Sequence, residues 1–132
     1  MRRVVLDTNV LVSALLTSGS KPDAIVGLIL NRKVKLCYDS RIMVEYEDVL
    51  LRDKFPFKSQ DIEILLHELI QMGIAVNSEP CPQTFTDEDD RMFYEVAKQC
   101  DAILITGNRR HFPEDPGIMT PAEFLAHYFN TV

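Results

Sequence analysis

Apolar and polar positions along the chain repeat with two periods, which predicts strands interleaved with helices. Short apolar runs predict strands at residues 4–6, 36–38, 74–76, 102–105 and 118–119. Apolar residues at helical spacing predict helices at residues 9–16, 22–31, 40–52, 59–72 and 88–99, and Pro121 opens a last one. Strands that alternate with helices are typical of a parallel sheet covered on both faces. The pattern predicts a single domain over residues 1–132, with a three-layer α/β/α fold around a central parallel sheet of four to five strands.

Polar residues and glycine mark the ends of several predicted helices. Ser40 is the expected N-cap of the third helix, and Thr86 or Asp87 is the expected N-cap of the fifth. Gly73 is expected to stop the fourth helix.

Composition agrees with one compact domain, and the charge balance argues against one class of DNA-binding protein. Of the 132 residues, 46% are hydrophobic and 26% are charged, which argues against disorder or a solenoid. Lys and Arg number 14 against 20 Asp and Glu, a formal net charge of −6. That balance argues against a general DNA coat, because such a protein needs many cations to neutralise phosphates. It does not exclude an enzyme that acts on nucleic acid, because clustered carboxylates recruit metal ions that change the local electrostatic field.

Cysteine count and the length of apolar runs bear on location. Cys37, Cys81 and Cys100 are odd in number and far apart, so they predict neither a disulfide framework nor a zinc knuckle. We expect no signal peptide, because the apolar run that follows Arg3 is broken at once by Asp7. No apolar run is long enough to span a membrane. We expect a cytoplasmic protein without a membrane-spanning helix.

Oxygen-bearing side chains follow two of the predicted strands. Asp7 comes directly after the first strand, and Asn108 lies just past the fourth. In open α/β sheets ligands collect at the carboxyl ends of the strands, so the two side chains share an edge if their strands are parallel neighbours. The alternatives are that Asp7 is an N-cap and that Gly107-Asn108 is an ordinary turn.

Glu45 lies on the inward side of its predicted helix. It shares the apolar stripe of Ile42 and Val49, where a carboxylate is costly unless a cation or hydrogen-bond donors compensate it. The alternative is an inward salt bridge to an arginine.

The densest acidic patch is the run from Asp87 to Asp90 at the start of the fifth helix. Acids in a first helical turn favour the positive end of the helix dipole, yet one cap and one dipole partner would suffice. Asp90 lies near the buried side of this helix, and Asp89 lies closer to the middle of its apolar stripe. Helical geometry does not choose between them, but we expect at least one to face the core.

Three or four convergent oxygen ligands, without His or Cys, match a hard divalent cation. Mg²⁺ or Mn²⁺ prefers carboxylate, amide carbonyl and water oxygens. Such a site stabilises charge on a phosphate and makes bound water a better nucleophile, so it predicts hydrolysis of a phosphodiester.

Taken together, these residues resemble the PIN domain, a metal-dependent ribonuclease fold found in many prokaryotic toxin–antitoxin modules. Residues 4–10, with Ser13 in the next helix, resemble its first motif, and Glu45 resembles its second. Residues 87–97 and 105–108 resemble the third and fourth motifs, and residues 120–125 resemble the ending of one toxin-like subfamily. The likeness covers nearly the whole chain.

The resemblance implies which residues form the site. It makes Asp7, Glu45 and Asp90 the catalytic acids and metal ligands, with Asn108 as a further ligand. The family often carries Asp at the fourth position, so Asn108 lowers the charge of the site by one. Residues expected to support the site are Thr8, Asn9, Ser13, Asp87, Asp89 and Thr106.

The resemblance also implies an activity and partners. It implies an Mg²⁺-dependent (or Mn²⁺-dependent) endoribonuclease, the toxin component of a type II toxin–antitoxin module, with an antitoxin partner and a homodimeric state. Apart from the resemblance, the candidate RNA contacts are Lys21, Arg41, Arg91, Arg109 and Arg110, and the pair that follows Asn108 is the best of them. The alternative for any single one is an ordinary solvated surface charge. The histidines lack the mutual spacing of a metal triad and are assigned no role: His67, His111 and His127.

Two other functions stay open. A phosphotransferase that forms an aspartyl phosphate would use Asp7 as nucleophile, but Asn9 stands where that chemistry needs a second acid. A catalytically weakened PIN-fold module that binds RNA or protein is favoured by Asn108 and by the acidic net charge.

Overall fold

The computed structural model of the protein describes residues 2–130 and contains the predicted alternation of strands and helices. The strands are β1 (Arg3–Leu6), β2 (Lys35–Tyr38), β3 (Ile74–Ala75), β4 (Ile103–Ile105) and β5 (Ile118–Met119). The α-helices are α1 (Thr8–Leu16), α2 (Lys21–Leu30), α3 (Ser40–Leu50), α4 (Ser59–Met72), α5 (Arg91–Cys100) and α6 (Pro121–Asn130). Short 3₁₀ turns cover Glu88–Asp90 and Arg109–His111.

The strands form one parallel sheet in the order β3-β2-β1-β4-β5. The middle strand β1 is paired on both sides, with Val4 opposite Leu36 of β2 and Leu6 opposite Ile105 of β4. A central all-parallel sheet with helices on its faces confirms the predicted three-layer α/β/α fold.

The core lies between the sheet and its helices because the strands are apolar on both faces. Val4, Val5 and Leu6 are fully buried, as expected for a strand covered on both sides. The apolar stripe of α5, which includes Phe93 and Val96, packs on β1, β2 and β4. Helix α2 packs against both α1 and α6. No helix within residues 2–130 has the length and apolar character needed to cross a membrane.

Two predicted helix starts differ from the structure for reasons of capping. Asp39, not Ser40, is the N-cap of α3, because its carboxylate accepts a hydrogen bond from the Ile42 N–H at 3.0 Å. Helix α5 begins at Arg91, because Asp87 caps a 3₁₀ turn over Glu88–Asp90 instead of the first turn of an α-helix.

Gly73 ends α4 at a point where the chain has no room for a side chain. A Cβ atom there would lie 2.7 Å from the carbonyl oxygen of Leu36 and 2.8 Å from that of Leu69. Both neighbours are backbone atoms of a strand and a helix, so they have little freedom to move away. This close approach lets β3 follow α4 directly and pair with β2.

We predict opposite effects for alanine at two glycines. Gly73→Ala forces a Cβ into backbone atoms, so we expect it to lower the free energy of unfolding by about 2–3 kcal/mol. Gly27 lies inside α2 with nothing within 4 Å of its Cβ position, so Gly27→Ala should raise the same quantity by about 0.5–1 kcal/mol. Urea denaturation of both variants measures this, and a Gly73→Ala variant as stable as the wild type would contradict the steric argument.

Candidate functional site

The order of the strands creates a crevice between β1 and β4. From β1 the chain proceeds to β2 and β3 on one side, and then crosses to β4 on the other side of β1. The carboxyl ends of two such strands are where open α/β sheets bind ligands. The pairing of Leu6 with Ile105 continues as a hydrogen bond from the Asp7 N–H to the Ile105 carbonyl at 2.9 Å, so Asp7 and Thr106 lie side by side.

Asp7 is buried in this crevice, with 7% of its surface exposed. It precedes α1, and the backbone N–H groups of Thr8 and Asn9 act to lower its pKa, but its carboxylate makes no side-chain capping hydrogen bond of good geometry. Instead its Oδ2 atom accepts a hydrogen bond of 2.7 Å from the hydroxyl of Thr106, which is fully buried. Burial raises the pKa of Asp7, and the Thr106 hydroxyl acts in the opposite direction. The structure therefore favours a site carboxylate over the alternative of a helix cap.

Glu45 reaches the same edge of the sheet from α3. Its neighbour Tyr46 is fully buried and donates a hydrogen bond of 2.6 Å to the carbonyl of Leu6, which ties α3 to the end of β1. Glu45 is half-buried, and its Oε2 atom accepts a hydrogen bond of 3.3 Å from the hydroxyl of Thr8. Burial raises the pKa of Glu45, and the charge of Asp89 raises it further. Within residues 2–130 no arginine forms a salt bridge with Glu45, which removes the alternative of an inward ion pair.

Asp90, and not Asp89, points inward from the acidic run. The Asp90 side chain is 14% exposed, whereas Asp89 is exposed and its N–H donates to the Asp87 carboxylate at 2.9 Å. The Oδ2 atom of Asp90 is buried and has no hydrogen-bond partner. Burial raises the pKa of Asp90 to about 6, and the charges of Asp7 and Asp87 add to the shift. The stripe geometry that placed Asp89 closer to the core was wrong, because these residues form a 3₁₀ turn with a different angular spacing.

Asn108 and His111 complete the edge after β4. The backbone N–H of Asn108 donates to the Thr106 hydroxyl at 3.0 Å. The side-chain Nδ2 atom of Asn108 lies 2.9 Å from Nε2 of His111, and Nδ1 of the same ring lies 3.7 Å from Oδ2 of Asp90. Sequence reasoning missed His111 because it compared the histidines only with one another. His111 lies three residues after Asn108, and residues at this spacing lie side by side in a 3₁₀ turn. That spacing could have pointed to His111 as a neighbour of Asn108.

Two further predicted supporting residues differ in what they contact. The Oδ1 atom of Asn9 lies 3.4 Å from the N–H of Gly107 and so joins α1 to the turn after β4. Ser13 is exposed on α1, and in the described part of the chain no hydrogen bond connects its hydroxyl to a carboxylate.

These contacts form two groups at one edge of the sheet. One group runs from Asp7 through Thr106 and Asn108 to His111 and Asp90. The other group is the pair of Thr8 and Glu45. Among residues 2–130 no three His, Cys, Asp or Glu side chains stand close enough together to hold a metal ion as a set.

The chemistry of the edge nevertheless suits a hard cation. Its donors are carboxylate and amide oxygens, and burial raises the pKa of all three carboxylic acids. The Oδ2 atom of Asp90 has no hydrogen-bond partner among the described residues, and only the His111 ring, 3.7 Å away, faces it. A cation ligated by these oxygens would remove the cost of burying their charge.

The basic residues predicted to contact RNA differ in their availability. Arg41 pairs with Asp39 at 2.7 Å and with Glu95 at 2.8 Å, and Arg91 pairs with Glu88 at 2.6 Å. Arg109 pairs with Glu123 at 2.8 Å. By contrast, Arg110 and Lys21 are exposed and form no ion pair with any described residue.

Comparison with known proteins decides the family. A model of the PIN domain matches residues 3–110 of the chain. The chain belongs to the PIN domain family. This PIN domain is 31% identical over 110 residues to an uncharacterized protein of Methanocaldococcus jannaschii. The aligned region covers 81% of this chain and 71% of that protein.

A solved structure has the same fold. A chain in the crystal structure of VapBC2 from Rickettsia felis bound to a DNA fragment from their promoter matches with a TM-score of 0.60. The match covers 89% of this chain and 96% of that one at 16% sequence identity, so it shows the fold alone. PIN domains are generally nucleases and typically use a divalent metal ion, which makes a nuclease the class of activity that family membership supports.

We predict that the charge of Asp90 destabilises the metal-free protein at neutral pH. Its pKa of about 6 in the folded state exceeds the ordinary 3.8, so the folded protein holds the proton more tightly than the unfolded chain. The free energy of unfolding then falls as pH rises from about 4 to about 6 and stays lower above that range. Asp90→Asn, which mimics the protonated acid, should raise it by about 1 kcal/mol at neutral pH, after discounting for solvent screening.

Urea denaturation in EDTA at about pH 4 and about pH 7.5 tests this, because the difference between Asp90→Asn and wild type should vanish at the lower pH. Asp53→Asn is the matched control, since Asp53 is exposed between α3 and α4. Equal stability of Asp90→Asn and wild type at both pH values would refute the destabilising charge.

Proposed function

We propose that this PIN domain is an Mg²⁺-dependent (or Mn²⁺-dependent) endoribonuclease that hydrolyses RNA phosphodiester bonds. Asp7, Glu45 and Asp90 are its acidic metal ligands, and Asn108 adds an amide oxygen. The observation that carries the proposal is the buried, unpartnered carboxylate oxygen of Asp90 at the strand edge that also holds Asp7. A carboxylate kept there without a compensating partner is costly, so its retention fits a ligand role.

The neighbouring hydroxyls leave ligand oxygens available. Thr106 occupies Oδ2 of Asp7, and Thr8 occupies Oε2 of Glu45. Glu45 therefore keeps a second oxygen that no described hydrogen bond engages, whereas the backbone N–H groups of Thr8 and Asn9 also act on the Asp7 carboxylate. These hydroxyls fix the direction of the carboxylates, as outer partners of metal ligands do. A bound divalent cation would stabilise negative charge on the phosphate and lower the pKa of a bound water.

The substrate proposal rests on charge beside the carboxylates. Arg110 lies two residues after Asn108, is exposed, and has no acidic partner among the described residues. It is therefore the first candidate for a phosphate contact, with Arg109 beside it once Glu123 releases it. Arg41 and Arg91 are weaker candidates, because each already neutralises a carboxylate of the chain.

We further propose that the protein is a cytoplasmic toxin component of a type II toxin–antitoxin module, with an antitoxin partner and a homodimeric state. Membership of the PIN domain family supports this, as does the fold shared with a chain of VapBC2.

A second candidate is a PIN-fold module that binds RNA or protein with weakened catalysis. Asn108 in place of an acid favours it, as does the separation of the acidic side chains in residues 2–130, where no three form a metal-holding set. The two candidates differ in one outcome, which is cleavage.

We predict that single-stranded RNA is cleaved in Mg²⁺ or Mn²⁺ and left intact in EDTA. Asp7→Asn and Asp90→Asn remove anionic ligands, so each should reduce the cleavage rate at least about 100-fold while the protein stays folded. Asp53→Asn, an exposed carboxylate outside the site, should cleave like the wild type. Cleavage that persists in EDTA would exclude the metal-dependent proposal, and RNA binding without cleavage would favour the second candidate.

We predict that alanine at Arg41 lowers stability, whereas alanine at Arg110 weakens RNA binding. Burial acts to raise the pKa of Glu95, yet hydrogen bonds from Arg41 and from the Cys81 N–H hold it below its ordinary value. Arg41→Ala removes one of these partners from a buried carboxylate, so it should lower the free energy of unfolding by about 1–3 kcal/mol.

Arg110→Ala should leave stability unchanged and weaken RNA binding, with the salt dependence of log K reduced by about one unit of slope. Fluorescence anisotropy at several salt concentrations, together with urea denaturation, measures both effects. If Arg110→Ala binds RNA with unchanged affinity and slope, the proposed phosphate contact is wrong.

A further inference from the structure

His111 lies between two of the proposed ligands, although it belongs to none of the four motifs. Its ring follows Asn108 in the 3₁₀ turn Arg109–His111, whose end is anchored by the buried side chain of Phe112. Phe112 packs edge-on against Phe85 with ring centroids 6.3 Å apart. The turn therefore holds the imidazole beside Asn108, even though half of the His111 side chain is exposed.

The hydrogen-bonding capacity of the two side chains fixes the form of the ring. The amide nitrogen Nδ2 of Asn108 can only donate, so the ring nitrogen Nε2, 2.9 Å away, must accept. The ring proton then lies on Nδ1, the nitrogen that is 3.7 Å from Oδ2 of Asp90. The ring accepts from one ligand residue and presents its N–H to another.

This arrangement has a consequence for the amide of Asn108. The opposite orientation of the amide would need the ring proton on Nε2, which would then donate to Oδ1 and leave no N–H facing Asp90. The carbonyl oxygen Oδ1 has no hydrogen bond with any described residue. That oxygen is the only atom of the Asn108 side chain able to ligate a hard cation.

We propose that His111 is a positioning residue for divalent-cation binding, which holds the amide of Asn108 with its oxygen available as a ligand and faces Asp90 with its N–H. This inference rests on the proposed function, because it assumes that Asn108 and Asp90 bind the cation. It assigns the ring a part that an acid at position 108 would not need, since both oxygens of a carboxylate can ligate. Outer partners of this kind contribute roughly 10- to 100-fold to metal affinity.

Mn²⁺ titration of the purified chain by isothermal calorimetry tests the inference without reference to cleavage. His111→Ala should weaken Mn²⁺ binding roughly 10- to 100-fold with an unchanged thermal midpoint. His111→Gln places a carbonyl oxygen where Nε2 accepts, so it should restore the affinity to within about threefold of wild type. His67→Ala is the matched control, because His67 is exposed on α4.

A double-mutant cycle separates positioning through Asn108 from any other effect. In an Asn108→Ala background, His111→Ala should change Mn²⁺ affinity by less than about twofold, because its target is gone. The inference is overturned if His111→Ala binds Mn²⁺ like the wild type, or if its full loss persists in that background and Gln does not rescue it. Wild-type protein that binds no Mn²⁺ would overturn the proposed function as well, whereas wild-type binding that His111→Ala retains would overturn this inference alone.

Discussion

The parallel pairing of β1 with β4 is the constraint on which the rest of the candidate site depends. Leu6 lies opposite Ile105, so the next residue of each strand, Asp7 and Thr106, meet at the carboxyl edge and share a hydrogen bond of 2.7 Å. Because the two residues are 99 positions apart in the chain, only the sheet brings them together. Every other site residue is placed relative to this pair.

One hydrogen bond and two 3₁₀ turns then bring further side chains to that edge. The buried hydroxyl of Tyr46 bonds the carbonyl of Leu6 and so brings Glu45 in from α3. The 3₁₀ turn capped by Asp87 delays the start of α5 and turns Asp90 inward. A second 3₁₀ turn places His111 between Asn108 and Asp90. Short 3₁₀ turns at both places set directions that a continuous α-helix would not.

Burial disfavours the charged form of the carboxylates at this edge. Burial raises the pKa of Asp7, Glu45 and Asp90, and one Asp90 oxygen has no partner among the described residues. Elsewhere the chain compensates its inward carboxylate fully, since Glu95 accepts from Arg41 and from the Cys81 N–H. This contrast makes the crevice the candidate site, because natural proteins keep poorly compensated buried charge mainly where a ligand will meet it.

The order of the elements could be predicted from the hydrophobic pattern, and the family from the resemblance of the motifs. Hydrophobic periodicity is a local property, so strands, helices, the parallel α/β architecture and the strand-end position of Asp7 could all be read from it. The hydrophobic stripe left Asp89 and Asp90 both open, the resemblance implied Asp90, and the packed structure turns Asp90 inward. Only the structure showed that Asp39 caps α3, that Arg41 pairs with Glu95, and that His111 lies beside Asn108 and Asp90. The Asp39 cap is local, but it depends on where α3 begins and not on periodicity. The other outcomes depend on turn type or on partners tens of residues away, and neither leaves a periodic trace in the chain. The sequence therefore predicted which carboxylates are candidates for the site, and the packing of distant segments determines which atoms contact each of them.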